Sequence, residues 1–126
     1  MDLVSLKKAE LHVHLEGSVT PETLREIDPS LTLEEIRAHY QYADFLGFLR
    51  SYKWVNLHLK TPEHFALITR RLIQSLVEQG VCQAEINISA GVLLWRGLEL
   101  EPIFTAIEAE AAASPIPVAF IFDAIR

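Results

Sequence analysis

Two histidines one residue apart, His12 and His14, close the run "AELHVH" (9–14), and Glu16 and Gly17 follow within three residues. On an extended strand, residues i and i+2 project to the same side, so both imidazoles can approach one ion without bending the backbone. Neutral imidazole suits borderline-soft divalent cations, and a catalytic zinc takes three protein ligands and keeps a fourth position open for water. The doublet therefore amounts to half a site. By spacing alone it is a weak signal, because a histidine is more often a partly buried polar residue with a hydrogen-bond partner. Glu16 adds a carboxylate in the turn leaving the strand, and Gly17 lets the backbone come close to a ligand.

The strand bearing the doublet alternates, with Leu11 and Val13 expected on one face and Glu10, His12 and His14 on the other. Thr20 and Pro21 then open a helix carrying Leu24 and Ile27, and Pro29 stops it. Thr32 with Glu35 forms a capping box for a second short helix with Leu33, Ile36 and Tyr40 on its apolar side. Apolar residues at 42, 45, 46, 48, 49, 52, 54 and 55 predict a helix apolar on more than one face. Core packing is the first expectation for Phe45, Leu46, Phe48 and Leu49; Phe45, Leu46 and Leu49 are also candidates to line a pocket. The clearest helix opens at Thr61-Pro62, places Phe65, Ile68, Leu72, Leu76 and Val77 at spacings of three and four, and ends at Gln79-Gly80.

"VCQAEINIS" (81–89) alternates again, with Val81, Gln83, Glu85, Asn87 and Ser89 expected on a polar face and Cys82, Ala84, Ile86 and Ile88 on an apolar one. "SAGVLLWRG" (89–97) reads as a loop. "EPIFTAIEAEAAA" is helical up to Ser114-Pro115, and "PVAFIFDAI" (117–125) reads as a strand buried on both faces. Strands separated by helices imply right-handed crossovers and a parallel sheet, so the fold class is α/β.

Composition narrows the partners. Eleven basic residues against 17 acidic ones, a formal charge of −6 over 126 residues, leave no basic surplus for nucleic-acid phosphates or anionic lipid. A small molecule is the expected partner, with no nucleic acid and no membrane. The N-terminus lacks the apolar core of a secretory signal and no apolar run could span a bilayer, so a cytoplasmic location is expected. One cysteine, Cys82, permits no intramolecular disulfide and is expected as a small buried strand residue. His39, His58 and His64 fall on helices and are expected to be solvated. The chain stops just after its third strand, so residues 1–126 are expected to be a single domain or an incomplete fragment of a longer α/β chain.

"ELHVHLEGSVTPETL" (10–24) resembles the N-terminal signature of the adenosine deaminase family, within the amidohydrolase superfamily. "FLGFL" resembles that family's helix beside the pocket mouth, "GVCQAEINIS" its second strand and "IPVAFIFDAIR" its third, with Arg126 as a closing arginine that could meet a carboxylate. The resemblance implies the N-terminal part of a (β/α)8 TIM barrel, parallel strands with crossover helices. It also implies zinc-dependent hydrolytic removal of a purine 6-amino group. One Zn2+ would be held in part by His12 and His14, with His14, Glu16 and Gly17 on the substrate. The remaining ligands and the catalytic acid are expected beyond residue 126, so this chain alone should hold zinc weakly and lack activity. Glu85 is open between a salt bridge inside the barrel and a place near the metal, and Trp95 between the barrel mouth and a loop filling.

Two departures bear on substrate. Glu16 stands where many adenosine-preferring members carry Asp, and Glu85-Ile86-Asn87-Ile88-Ser89-Ala90 where Glu-Val-Arg-Tyr-Ser-Pro is frequent. "SAGVLLWRG" is similar to relatives that act on 6-aminodeoxyfutalosine, so that compound and adenine stand as alternatives to adenosine. An expectation of another class is a non-catalytic unit that self-associates through an exposed strand edge.

Overall fold

Four helices begin where the chain supplies a side-chain acceptor for the first unpaired amides. Thr20 Oγ1 accepts from the Thr23 amide at 3.2 Å, Asp44 Oδ1 from Gly47 at 2.7 Å and Thr61 Oγ1 from His64 at 3.2 Å. Thr32 and Glu35 cap each other reciprocally. A computed structural model describes residues 2–124. The elements are β1 (Lys8–His14), a single 3-10 turn (Glu16–Ser18), α1 (Pro21–Ile27), α2 (Leu33–His39), α3 (Phe45–His58), α4 (Pro62–Glu78), β2 (Val81–Ile88), α5 (Ala90–Trp95), α6 (Leu100–Ala112) and β3 (Val118–Phe122). The three strands form one parallel sheet in the order β1-β2-β3, as the alternation of strands and helices requires.

The core lies between the sheet and its crossover helices. Phe65, Ile68, Leu72 and Leu76 of α4 and Ile103 and Ile107 of α6 join Ala84, Ile86 and Ile88 of β2 in one buried cluster. Each large side chain so buried contributes about 1.5–3 kcal/mol. Thr69 is buried among them and its hydroxyl donates to the Phe65 carbonyl at 2.7 Å, which meets its polar demand within the helix.

Two β-bulges displace residues from the faces that simple alternation assigns. Between Lys8↔Val81 and Ala9↔Gln83 the partner strand carries one extra residue, Cys82. Cys82 is thereby exposed, its thiol 3.3 Å from the Lys8 carbonyl, while Val81 joins the core; the expected buried cysteine is corrected. Between Glu10↔Ala84 and Val13↔Ile86 the extra residue lies in β1, at Leu11–His12. Glu10 thus aligns with the core-facing Ala84 and no longer shares a face with His12, and Leu11 is 61% exposed instead of packing with Val13.

Three further expectations change. β3 is not buried on both faces: Ala119 and Ile121 are exposed, on the face opposite Phe120, whose ring packs on Phe104 of α6. The apolar residues at the start of α3 are not core; Phe45, Leu46, Phe48 and Leu49 are all exposed to a substantial degree. Residues 90–95, read as a loop, form α5, which ends at Gly97 in the left-handed region (φ +78). Ile125 and Arg126 lie outside the described residues.

Candidate active site

His12 and His14 stand at the C-terminal end of β1, where a parallel β/α sheet gathers its ligands. Their Nε2 atoms are 3.1 Å apart and their rings meet edge to face with centroids 4.9 Å apart. Two nitrogens bound to one tetrahedral ion at about 2.05 Å would be separated by about 3.3 Å, so the pair fits as two ligands of a shared zinc. Behind His14, its Nδ1 lies 3.5 Å from Asp123 Oδ2, and the Asn87 amide donates to the other oxygen of Asp123 at 3.4 Å. A carboxylate in that position favours the tautomer that leaves Nε2 free to bind. Among the described residues, no three His, Cys, Asp or Glu side chains converge as a metal cluster.

The doublet opens into a cavity of about 430 Å³ whose walls include Gly17, Phe48, Leu49 and Tyr52. The apolar wall is one face of α3, since 48, 49 and 52 follow the helical repeat. Of the three candidates for a pocket lining, Leu49 lies in this wall and Phe45 and Leu46 do not. Phe45 lies one turn earlier, stacked against Phe48 and 72% exposed, and Leu46 points about 100° around the helix from Phe45.

The adenosine deaminase family model matches residues 7–119. The chain belongs to the adenosine deaminase family. It is 32% identical over 113 residues to an aminodeoxyfutalosine deaminase of Streptomyces avermitilis, covering 84% of this chain and 32% of that protein. To an adenine deaminase of Sinorhizobium fredii it is 32% identical over 131 aligned positions, covering 96% of this chain and 40% of the relative. The chain thus spans about a third to two fifths of the length of these curated relatives. A solved amidohydrolase from Burkhoderia ambifaria with bound zinc superimposes with a TM-score of 0.81 at 22% identity, over 94% of this chain and 36% of that one. The α/β fold is that of the N-terminal part of a TIM barrel.

Other expected residues of this deaminase-family chain are distributed as follows. Glu16 is 1% exposed and does not line the His12–His14 cavity; it borders a chamber of about 110 Å³ beyond it, with Tyr40, Tyr42 and Ser51. Its Oε1 accepts the Ser89 amide at 2.9 Å and its Oε2 has no hydrogen-bond partner among the described residues. Burial pushes the Glu16 carboxyl above its usual range, with the backbone donors at Glu16 and Ser89 pulling the other way. Tyr52 is pushed up to about 12, first by burial and then by the nearby Glu16 charge. Gly17 borders both spaces, and a methyl there would stand 3.5 Å from His14 Cβ and from Tyr52, an ordinary contact.

Three other histidines are engaged away from the doublet. His39 stacks on Trp54 at 3.7 Å, His58 Nδ1 lies 3.2 Å from Asp28, and His64 Nδ1 accepts the Lys60 amide at 3.1 Å. His58 and His64 are not free surface groups, since each holds a neighbouring turn. Glu85 is half-buried and forms no salt bridge among the described residues, and Trp95 is 79% exposed at the end of α5. The cavity residues that sequence reasoning missed are Tyr52, Ser89 and Asp123, while Phe48 was expected first as core. Only Asp123 carried a readable signal, an acid at the C-terminal end of an apolar strand.

Proposed function

We propose that the protein is a zinc-dependent hydrolase that removes the 6-amino group from a purine base or nucleoside. The observation that carries this reading is the pair of Nε2 atoms 3.1 Å apart in the wall of a cavity large enough for a small flat molecule. His12 and His14 would hold the ion, which when bound supplies an acidified water as hydroxide near neutral pH. Asp123 behind His14 would favour its ligating tautomer once the 3.5 Å contact tightens around the ion. Phe48, Leu49 and Tyr52 offer an apolar face on which a purine ring can lie while water is excluded from it. The missing ligands and the proton donor for the departing ammonia would come from later strands.

On this proposal residues 1–126 form one folding unit, the first three strands of the barrel with their helices. Adenine and 6-aminodeoxyfutalosine are the favoured substrates, in keeping with the names of the relatives and with a Glu16 turned away from the main cavity. No helix among the described residues is long and apolar enough to cross a membrane, and a cytoplasmic place suits a purine hydrolase. The test is metal content and ammonia release from adenine, adenosine and 6-aminodeoxyfutalosine by a barrel-length chain. About one zinc per chain is expected, with His12→Ala losing both metal and activity. Full activity in that variant would sink the reading.

A second reading has its own support: among the described residues β1 and β3 each pair on one side only, with Leu11 and Ile121 exposed. On this reading the 126-residue chain self-associates through a strand edge. Size-exclusion chromatography that finds it monomeric at tens of micromolar would remove it.

A further inference from the structure

We infer that Glu16 is a positioning residue, a latch that joins the end of β1 to the start of α5 and, through Ser89, to Tyr52 of α3. The inference rests on the proposed deaminase reading only for its consequence in catalysis. α5 begins without a side-chain cap, since the Ser89 hydroxyl bonds none of the helix amides. The Ser89 amide is buried at the strand-to-helix junction, and Glu16 Oε1 at 2.9 Å is its acceptor. The same serine's hydroxyl meets the Tyr52 hydroxyl at 3.0 Å. One residue earlier, the Leu15 amide donates to the Asn87 carbonyl at 2.9 Å, so the latch extends the β1–β2 ladder beyond its last regular pair.

Ser89 and Tyr52 both face the cavity that holds His12 and His14, and Glu16 does not. The carboxylate therefore shapes the cavity wall from behind. A buried amide stripped of its acceptor would carry the full cost of desolvation, which makes the junction sensitive to the reach of the side chain at 16. Direct contact with substrate, the role implied by family resemblance, depends instead on the negative charge at that position.

Two conservative variants separate reach from charge. Glu16→Gln keeps the length and a carbonyl acceptor without the charge, and Glu16→Asp keeps the charge on a side chain about 1.5 Å shorter. The readout is hydrogen exchange at the Ser89 amide by NMR, made on the protein without substrate. Exchange should quicken on the order of tenfold or more in Glu16→Asp and stay within about threefold of the parent in Glu16→Gln. Tyr52→Phe, which leaves the Glu16–Ser89 bond intact, should leave Ser89 slow. With a 6-aminopurine and a barrel-length chain carrying the same substitutions, KM should rise more in Glu16→Asp than in Glu16→Gln.

Slow Ser89 exchange in Glu16→Asp, or a KM order reversed in favour of the charged variant, overturns the latch. Because exchange is read without turnover, a protein that proves inactive on purines while showing the expected exchange order removes the proposed function and leaves the latch standing.

Discussion

The two faces of the sheet are built from opposite materials. On the helix side, Ala84, Ile86 and Ile88 alternate into an apolar cluster with α4 and α6. On the other side, His14, Asn87 and Asp123 line up across three strands at their C-terminal ends, held by contacts of 3.4 and 3.5 Å that lie at or beyond good hydrogen-bond length. The first face gains free energy from area removed from water and is closely packed. The second contains groups that gain little from one another and have coordination capacity to spare. Stability and chemistry thus occupy residues that are neighbours in sequence, separated only by the pleat of the strand.

The largest expected effect tests that division directly. Ile86 is fully buried, and Ile86→Ala should cost about 2–5 kcal/mol in chemical denaturation. His12→Ala, on the exposed polar side, should move stability by only about 0.5 kcal/mol while removing zinc affinity. Comparable losses of stability in the two variants would break the comparison. Next in size is Gly80→Ala, in the turn entering β2 at the sheet end remote from the site. Gly80 has φ +80 and a methyl there would collide with the Val4 backbone carbonyl, so about 1–3 kcal/mol should be lost. Metal affinity per folded molecule should not change. A smaller effect is expected at Asn87, adjacent to Ile86 but on the polar face. Its Oδ1 is buried without a partner among the described residues, so Asn87→Ala removes that group together with a long contact and should change stability by about 1 kcal/mol or less.

What could be read from the chain follows the same division. Thr20, Thr32 and Thr61 announced their helices because capping is chemistry within four residues, and the alternation of 84, 86 and 88 announced the buried face of β2. The pairing of His12 with His14 was legible because i and i+2 is a local relation. The bulges at Leu11–His12 and Cys82 were not, since an extra residue is defined only against a partner strand more than 70 positions away. Nor was α5, which has no side-chain cap and whose N-cap residue, Ser89, has its amide met by Glu16 from the turn after β1. Phe45 and Leu46 misled because periodicity marks an apolar face without telling which part of it finds a neighbour. Tyr52 and Asp123 reach the site from elements 37 and 111 residues away from Ser89 and His12 respectively, Tyr52 through the 3.0 Å contact to Ser89.

The smallest effect belongs to charges on the helix side, and it runs through pH. Asp28, in the turn after α1, has its carboxyl held below the usual value of 3.8, first by the Ser30 hydroxyl and also by His58. A depressed folded-state pKa means that the unfolded chain takes up its proton first as pH falls. The contribution of Asp28 is therefore fully present above about pH 4–5 and is lost as pH drops through its folded-state value. Asp28→Asn should flatten the fall in stability below pH 4 and leave the ordering of Ile86→Ala over Asn87→Ala untouched at pH 7. Because Asp28 is largely solvent-screened, the flattening should be slight. A steep acid transition abolished by this one substitution would show that polar contacts, and not the apolar cluster, hold the helix face to the sheet.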